Sequence, residues 1–203
     1  MKSTERRQYT LGRRGEAAAE TRRRIVQATF DLHAEQGIRD TTMQQIAARA
    51  GVSVGTVYHH FPTYADAIDA CGAHASVAVP APDARIFDGA ETRRERVERL
   101  TLALFDFYRR LPALASIRRD RDLARSLSEY ADAETAGRVE LCASALGREA
   151  QSAETATLAA LVDLDVAAAF TRQGFTADVA ASAVAAIANA WLDTLPQPSA
   201  SRI

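Results

Sequence analysis

Residues 42–61 read TMQQIAARAGVSVGTVYHHF, and the placing of capping, small and apolar residues in this stretch decides the fold. Thr42 followed three residues later by Gln45 is the pattern of a capping box, in which a hydroxyl and an amide close the first helical turn reciprocally. Met43, Ile46, Ala47 and Ala50 then recur at helical spacing and give a short helix with one apolar face. Gly51 stops that helix, Ser53 caps the next, and Val57 and Phe61 line its inner side before Pro62 ends it. Two short helices joined through Gly51-Val52 form a helix-turn-helix, whose first helix braces the second against a nucleic-acid duplex.

With Val52, Val57 and Phe61 turned inward, Val54, Gly55, Tyr58 and His59 occupy the opposite side of the second helix. That side is short, neutral and polar-aromatic, which suits a major groove about 12 Å wide. Gly55 permits close backbone approach, Thr56 can bond bases or phosphates, and Val54 can touch a thymine methyl. Tyr58 and His60 are within reach of phosphate oxygens.

Upstream, Ile25, Ala28, Leu32 and Gln36 share one helical face, with Val26 and Phe30 beside it and Gly37 at the end, so a helix runs from Thr21. Residues 1–19 contain Gly12, Gly15, several arginines and few apolar side chains, and are expected to form a flexible basic arm. Its Arg6, Arg7, Arg13 and Arg14, with Arg22 to Arg24, can follow phosphates or enter a minor groove. Residues 1–62 carry ten Lys/Arg against six Asp/Glu, or +4, and residues 63–203 carry fifteen against twenty, or −5. Clustered cations at one end suit a polyanion there.

Downstream, Thr63 can cap a helix through Ala67, Ile68 and Cys71, and a loop follows at Pro80, Pro82 and Gly89. Helical patterns then cover Glu91 to Leu111, a short segment from Pro112, about Asp120 to Glu149, Thr155 to Gln173, and Thr176 to Leu195, with no strand signal. The chain is therefore expected to be all-α. Apolar residues make up 47% and charged residues 25%, as in a globular protein. No apolar run is long enough for a membrane span, and the arginine-rich start lacks the apolar region of a secretory signal, so the expected compartment is the cytoplasm. Cys71 and Cys142 are too few for a disulfide scaffold and read as small buried hydrophobes.

Ile25, Ala28, Gly37, Thr42, Ile46-Ala47, Ala50-Gly51-Val52-Ser53, Gly55-Thr56, Tyr58 and His60-Phe61 fall in register with the TetR family of bacterial regulators, which this chain resembles over about residues 21–70. The resemblance implies an N-terminal three-helix DNA-binding domain at residues 20–66 and a C-terminal helical effector-binding and dimerisation domain at residues 67–203. It implies DNA contacts by Thr42, Gln44, Ser53, Val54, Gly55, Thr56, Tyr58, His59 and His60. Gln44 and Val54 to Thr56 would face bases, while Thr42, Tyr58 and His60 hold the backbone. Tyr64 stands where the family commonly has a phosphate-binding lysine, and its hydroxyl offers a contact without charge. His33 occupies the place of an aromatic core residue and is expected to be partly buried and structural.

The implied partners are a double-stranded operator of inverted-repeat form, a small-molecule effector of unknown class and a second copy of the chain. Leu104, Phe105, Tyr108, Tyr130, Cys142 and Phe170 are the candidate effector contacts, each also readable as core. On the last helix Ala181, Ala185, Ala188 and Leu192 form one apolar side, and Ala183, Ile187, Ala190 and Thr194 a second that a symmetry mate would cover. No paired carboxylates, metal-ligand cluster or phosphate loop stands out, so no enzyme, cofactor or metal is expected. An enzyme would have to use Cys71 with His74 or a neighbouring carboxylate such as Asp69, a constellation without a second half. A redox or metal sensor using Cys71 or Cys142 would fit the same scaffold, and so would a DNA-binding dimer without effector.

Overall fold

The computed structural model describes residues 2–195, with side chains from Gly15 onward, and every regular element in this range is helical. These are α1 (Lys2–Gln36), α2 (Met43–Ala50), α3 (Val54–His60), α4 (Tyr64–Ala78), α5 (Arg93–Arg110), α6 (Leu114–Arg119), α7 (Arg125–Leu146), α8 (Ala153–Leu161), α9 (Leu164–Arg172) and α10 (Ala177–Asp193), with a 3-10 turn at Ala84–Phe87. The chain forms two compact units, Met1–Ala78 with Pro112–Ala131, and Val79–Leu111 with Asp132–Ile203. The boundary expected after residue 66 falls inside α4.

α1 is one unbroken helix from Lys2, so its backbone continues through the segment expected to be a flexible arm. Gly12 and Gly15 each cost about 1 kcal/mol relative to alanine, but Leu11, Glu16 and Ala17 to Ala19 are strong helix formers. Low apolar content argues against a buried face, which is a different matter from helix formation.

In the first unit Ile25, Ala28, Leu32, Met43, Ile46, Val57 and Phe61 close on one another as a buried core. The α2 start has both halves of its capping box, Thr42 Oγ1 accepting from the Gln45 amide and Gln45 Oε1 from the Thr42 amide. Gly51 ends α2 in the left-handed region at φ 65°, a position where a Cβ would sit 3.0 Å from the Arg24 guanidinium. Arg24 donates to the carbonyls of Ala50 and Gly51, pairing acceptors that a helix C-terminus otherwise leaves open.

Residues 112–131 complete this unit. Ala124 and Leu127 cover Ile38 and Ile68. Asp120, fully buried, receives the Arg39 amide and guanidinium and the Arg119 guanidinium, each at 3.2 Å. Burial pushes its carboxyl up, but the hydrogen bonds from Arg119 and Arg39 outweigh it and hold the group below its ordinary range.

In the second unit the small residues Ala181, Ala185 and Ala188 of α10 are buried, and α10 packs against α5, whose Val97, Leu100 and Leu104 are buried too. Asp193 pairs with Arg93 at 2.6 Å and Arg94 at 3.1 Å. The single helix expected from Thr155 to Gln173 is two, broken at Val162. Three side chains satisfy the freed groups: Asp163 accepts the Asp165 amide at 2.9 Å, Tyr108 donates to the Val162 carbonyl at 3.1 Å, and Arg138 donates to the Ala159 carbonyl. Arg138 also pairs with Asp163 at 2.9 Å.

Candidate nucleic-acid interface

α3 is short, and its orientation comes from its ends and from one buried side chain. Ser53 Oγ accepts the Thr56 amide at 3.1 Å, Phe61 caps the other end with its amide on the Val57 carbonyl at 2.8 Å, and Val57 is fully buried. Gly55, Tyr58 and His59 are consequently exposed, Tyr58 by 50%, and Val54, Thr56 and His60 are half-buried at the rim. Gln44 on α2 is exposed as well. The Thr56 hydroxyl lies 2.8 Å from Ser53 Oγ, which fixes its direction. This face carries donors, acceptors and methyl groups without formal charge, the mixture that reads base edges.

Besides Ser53, Thr56 and Arg24, three further expected contacts are already engaged within the protein. The Thr42 hydroxyl lies 2.9 Å from Gln45 Oε1, to which it donates while accepting the Gln45 amide, so as found it is a cap. Arg23, counted among the phosphate-following arginines, donates to Glu20 at 3.0 Å. The third, Tyr64, is a correction: its hydroxyl points inward and donates to the Ile38 carbonyl at 2.5 Å. As found, this half-buried hydroxyl is turned to the protein's own backbone and not outward toward a phosphate.

The same hydroxyl lies 2.9 Å from His33 Nε2, and Cys71 Sγ lies 3.6 Å from His33 Nδ1. Since Tyr64 gives its proton to Ile38, it must accept from Nε2–H, which leaves Nδ1 to accept from the thiol. The chain runs Cys71 S–H to His33, His33 N–H to Tyr64, and Tyr64 O–H to the backbone. Burial pushes the imidazole down to about 4 and the Cys71 thiol up to about 12. Cys71 therefore meets His33 rather than His74, whose ring packs edge-on against Phe30.

The six candidate effector contacts are divided between the two units. Leu104, Phe105, Tyr108 and Cys142 are buried in the second unit, and Phe170 is half-buried and edge-on to Phe175. Tyr130 belongs to the first unit. Among the described residues, an open groove of about 610 Å³ runs along Arg23, Gln27, Ala73 and His74, and another of about 420 Å³ along Asp132, Val139, Glu140 and Gln151. Neither is lined by any of the six.

Two short helices, capped independently and presenting an uncharged face, define the class: a helix-turn-helix protein. Residues 25–70 match the family described as bacterial regulatory proteins, tetR family. The chain is 35% identical over 144 residues to the HTH-type transcriptional repressor Rv3405c of Mycobacterium tuberculosis, covering 62% of this chain and 72% of that one. The chain belongs to the TetR family. It is also 50% identical over 44 residues to the HTH-type transcriptional regulator SrpR of Pseudomonas putida, a match spanning 22% of this chain and 21% of SrpR. Its fold is similar to that of a TetR-like transcriptional regulator from a Rhodococcus species, with TM-score 0.65, 18% identity and coverage of 86% of this chain and 97% of the other. It also resembles NalD of Pseudomonas aeruginosa, with TM-score 0.59, 21% identity and coverage of 86% and 96%.

Sequence reasoning missed the duty of Arg24, which binds the α2 C-terminus rather than a phosphate. No local signal marks it, since its partners lie 26 and 27 residues away.

Proposed function

We propose that the chain is a dimeric TetR-type repressor that reads an inverted-repeat operator through α3 and releases it when a small molecule binds the second unit. The observation that carries this reading is the outward face of α3, where Gly55, Tyr58 and His59 are exposed on a helix held at both ends by side-chain and backbone caps. Support for a dimer comes from α10, whose second apolar side leaves Ile187 55% and Val179 49% exposed, with Ala190 and Thr194 also exposed. In a two-fold dimer the recognition helices would lie about 34 Å apart, one turn of duplex. The effector half is drawn from the fold: NalD is described as the secondary repressor of a multidrug efflux pump, and another neighbour, EbrR, as a multidrug binding protein complexed with imidazole. A redox sensor is disfavoured by burial, which pushes both the Cys71 and Cys142 thiols up to about 12 and suppresses the reactive thiolate.

Selection from random duplexes should enrich two half-sites in inverted orientation, and a compound that raises Tm should release the selected duplex in a mobility-shift assay. Ile187→Glu should yield a monomer by light scattering that binds the same duplex at least tenfold more weakly. Recovery of a single unpaired half-site by the wild type would overturn the dimer reading. A repertoire of ligands that stabilises the protein without releasing DNA would favour a regulator without effector.

Deleting residues 1–19 removes Lys2, Arg6, Arg7, Arg13 and Arg14 against Glu5 and Glu16. Operator affinity should fall and its dependence on salt should flatten, because fewer counterions are released on binding. An unchanged slope of log Kd against log salt would assign this segment no part in the contact.

A further inference from the structure

The uncharged face of α3 and the inward turn of Tyr64 leave the binding of phosphates short of cations, and the first unit narrows the choice of what supplies them. Arg23 is paired with Glu20, Arg49 with Glu35, Arg39 with Asp120 and Asp122, Arg119 with Asp120, and Arg125 with Glu129. Arg24 is committed to the backbone of the turn.

Arg22 differs from all of these. It is exposed, and its guanidinium carbon stands 4.9 Å from the centre of the Phe61 ring, a cation–π contact. Phe61 is 2% exposed and caps the C-terminus of α3, so the guanidinium is fixed to the end of the recognition helix. A guanidinium stacked by its face keeps the donors at its edge free, and a planar fork of donors matches a phosphate. His60, the residue before Phe61, feels the charge: burial, His59 and Arg22 together hold its imidazole below the ordinary value.

We infer that Arg22 is the phosphate clamp of this protein, held against Phe61 at the end of α3 and supplying from α1 the charge that position 64 lacks. The inference rests on the reading that α3 enters DNA. A phosphate seated on the Arg22 fork lies beside His60 and locks the C-terminal end of α3 to one strand. The contact carries no base information, so it serves operator and random DNA alike.

The test uses the full-length protein, the duplex recovered by selection and a scrambled duplex, titrated across a range of KCl. Arg22→Met keeps an aliphatic chain over the Phe61 ring and removes the charge. It should retain the wild-type Tm, weaken both duplexes by the same factor, about tenfold or more, and make the slope of log Kd against log salt shallower by about 0.9 per protomer bound. Arg22→Lys keeps the charge without the planar stack, and should keep the slope while losing part of the affinity. A wild-type slope in Arg22→Met would overturn the clamp, and so would a loss confined to the selected duplex. Failure of the wild type to bind any duplex would instead remove the DNA reading on which the clamp stands.

Discussion

Tyr58→Ala and Thr56→Ala should each lower operator affinity by a hundredfold or more while leaving the thermal stability of the protein unchanged. Tyr58 is 50% exposed, so truncating it opens no cavity. Thr56 is half-buried, and α3 keeps its N-terminal hydrogen bond because that bond uses the Thr56 amide and not its hydroxyl. For Tyr58 a hydrogen bond to a charged phosphate is worth about 1.5–3 kcal/mol, for Thr56 the readout of a base is worth about 1–3 kcal/mol, and in a symmetric dimer each loss is felt twice. Mobility shifts at fixed salt, with Tm measured on the same samples, read both quantities. Thr56→Ala should also relax the preference for bases at its position, whereas Tyr58→Ala should weaken all sequences alike. Wild-type affinity in both variants would remove α3 from the interface.

Acid should destabilise the first unit over a window set by His33. In the unfolded chain the imidazole takes a proton near 6.5, and in the folded unit, where burial disfavours the charge, only near 4. Between these values the unfolded state binds more protons, so stability that is fully present above 6.5 is lost as the pH falls toward 4. The loss should reach roughly 2–3 kcal/mol by pH 4.5. Protonation also breaks the directional chain, because Nδ1–H has no lone pair to offer the Cys71 thiol. Denaturant unfolding followed at pH 7 and pH 4.5 measures the difference, and His33→Phe, which cannot titrate, should abolish most of it. Tyr64 keeps its bond to the Ile38 carbonyl in that variant. Equal acid sensitivity in His33→Phe and the wild type would assign the effect to other groups.

What could be read in the sequence was what the chain decides locally. The capping box of Thr42 and Gln45, the stop at Gly51 and the cap at Ser53 involve partners three or four residues apart, and all are present. The expected inward turn of Val57 and Phe61 follows from the same spacing, and both are buried. Interactions between distant residues were not legible. Tyr64 reads as available to a phosphate because nothing in its neighbourhood announces His33 and Ile38 as partners. The break at Val162 has no glycine or proline to mark it, and depends on Arg138 and Tyr108 arriving from other helices. Leu104, Phe105 and Tyr108 illustrate a different obstacle, since an apolar stripe has the same pattern whether it faces a ligand or a neighbouring helix.

The attachment of residues 112–131 to the first unit bears on how far the DNA-binding part is portable. A fragment ending at Ala78 would carry the whole helix-turn-helix, yet it would bare Ile38 and Ile68 to water and strip Arg39 of Asp120 and Asp122. The reading head is thus written in two separated passages of the chain, with a passage of the other unit between them. Transplanting it onto another protein would require both passages, or a graft that supplies an apolar cover for the two isoleucines and a buried carboxylate for the arginine.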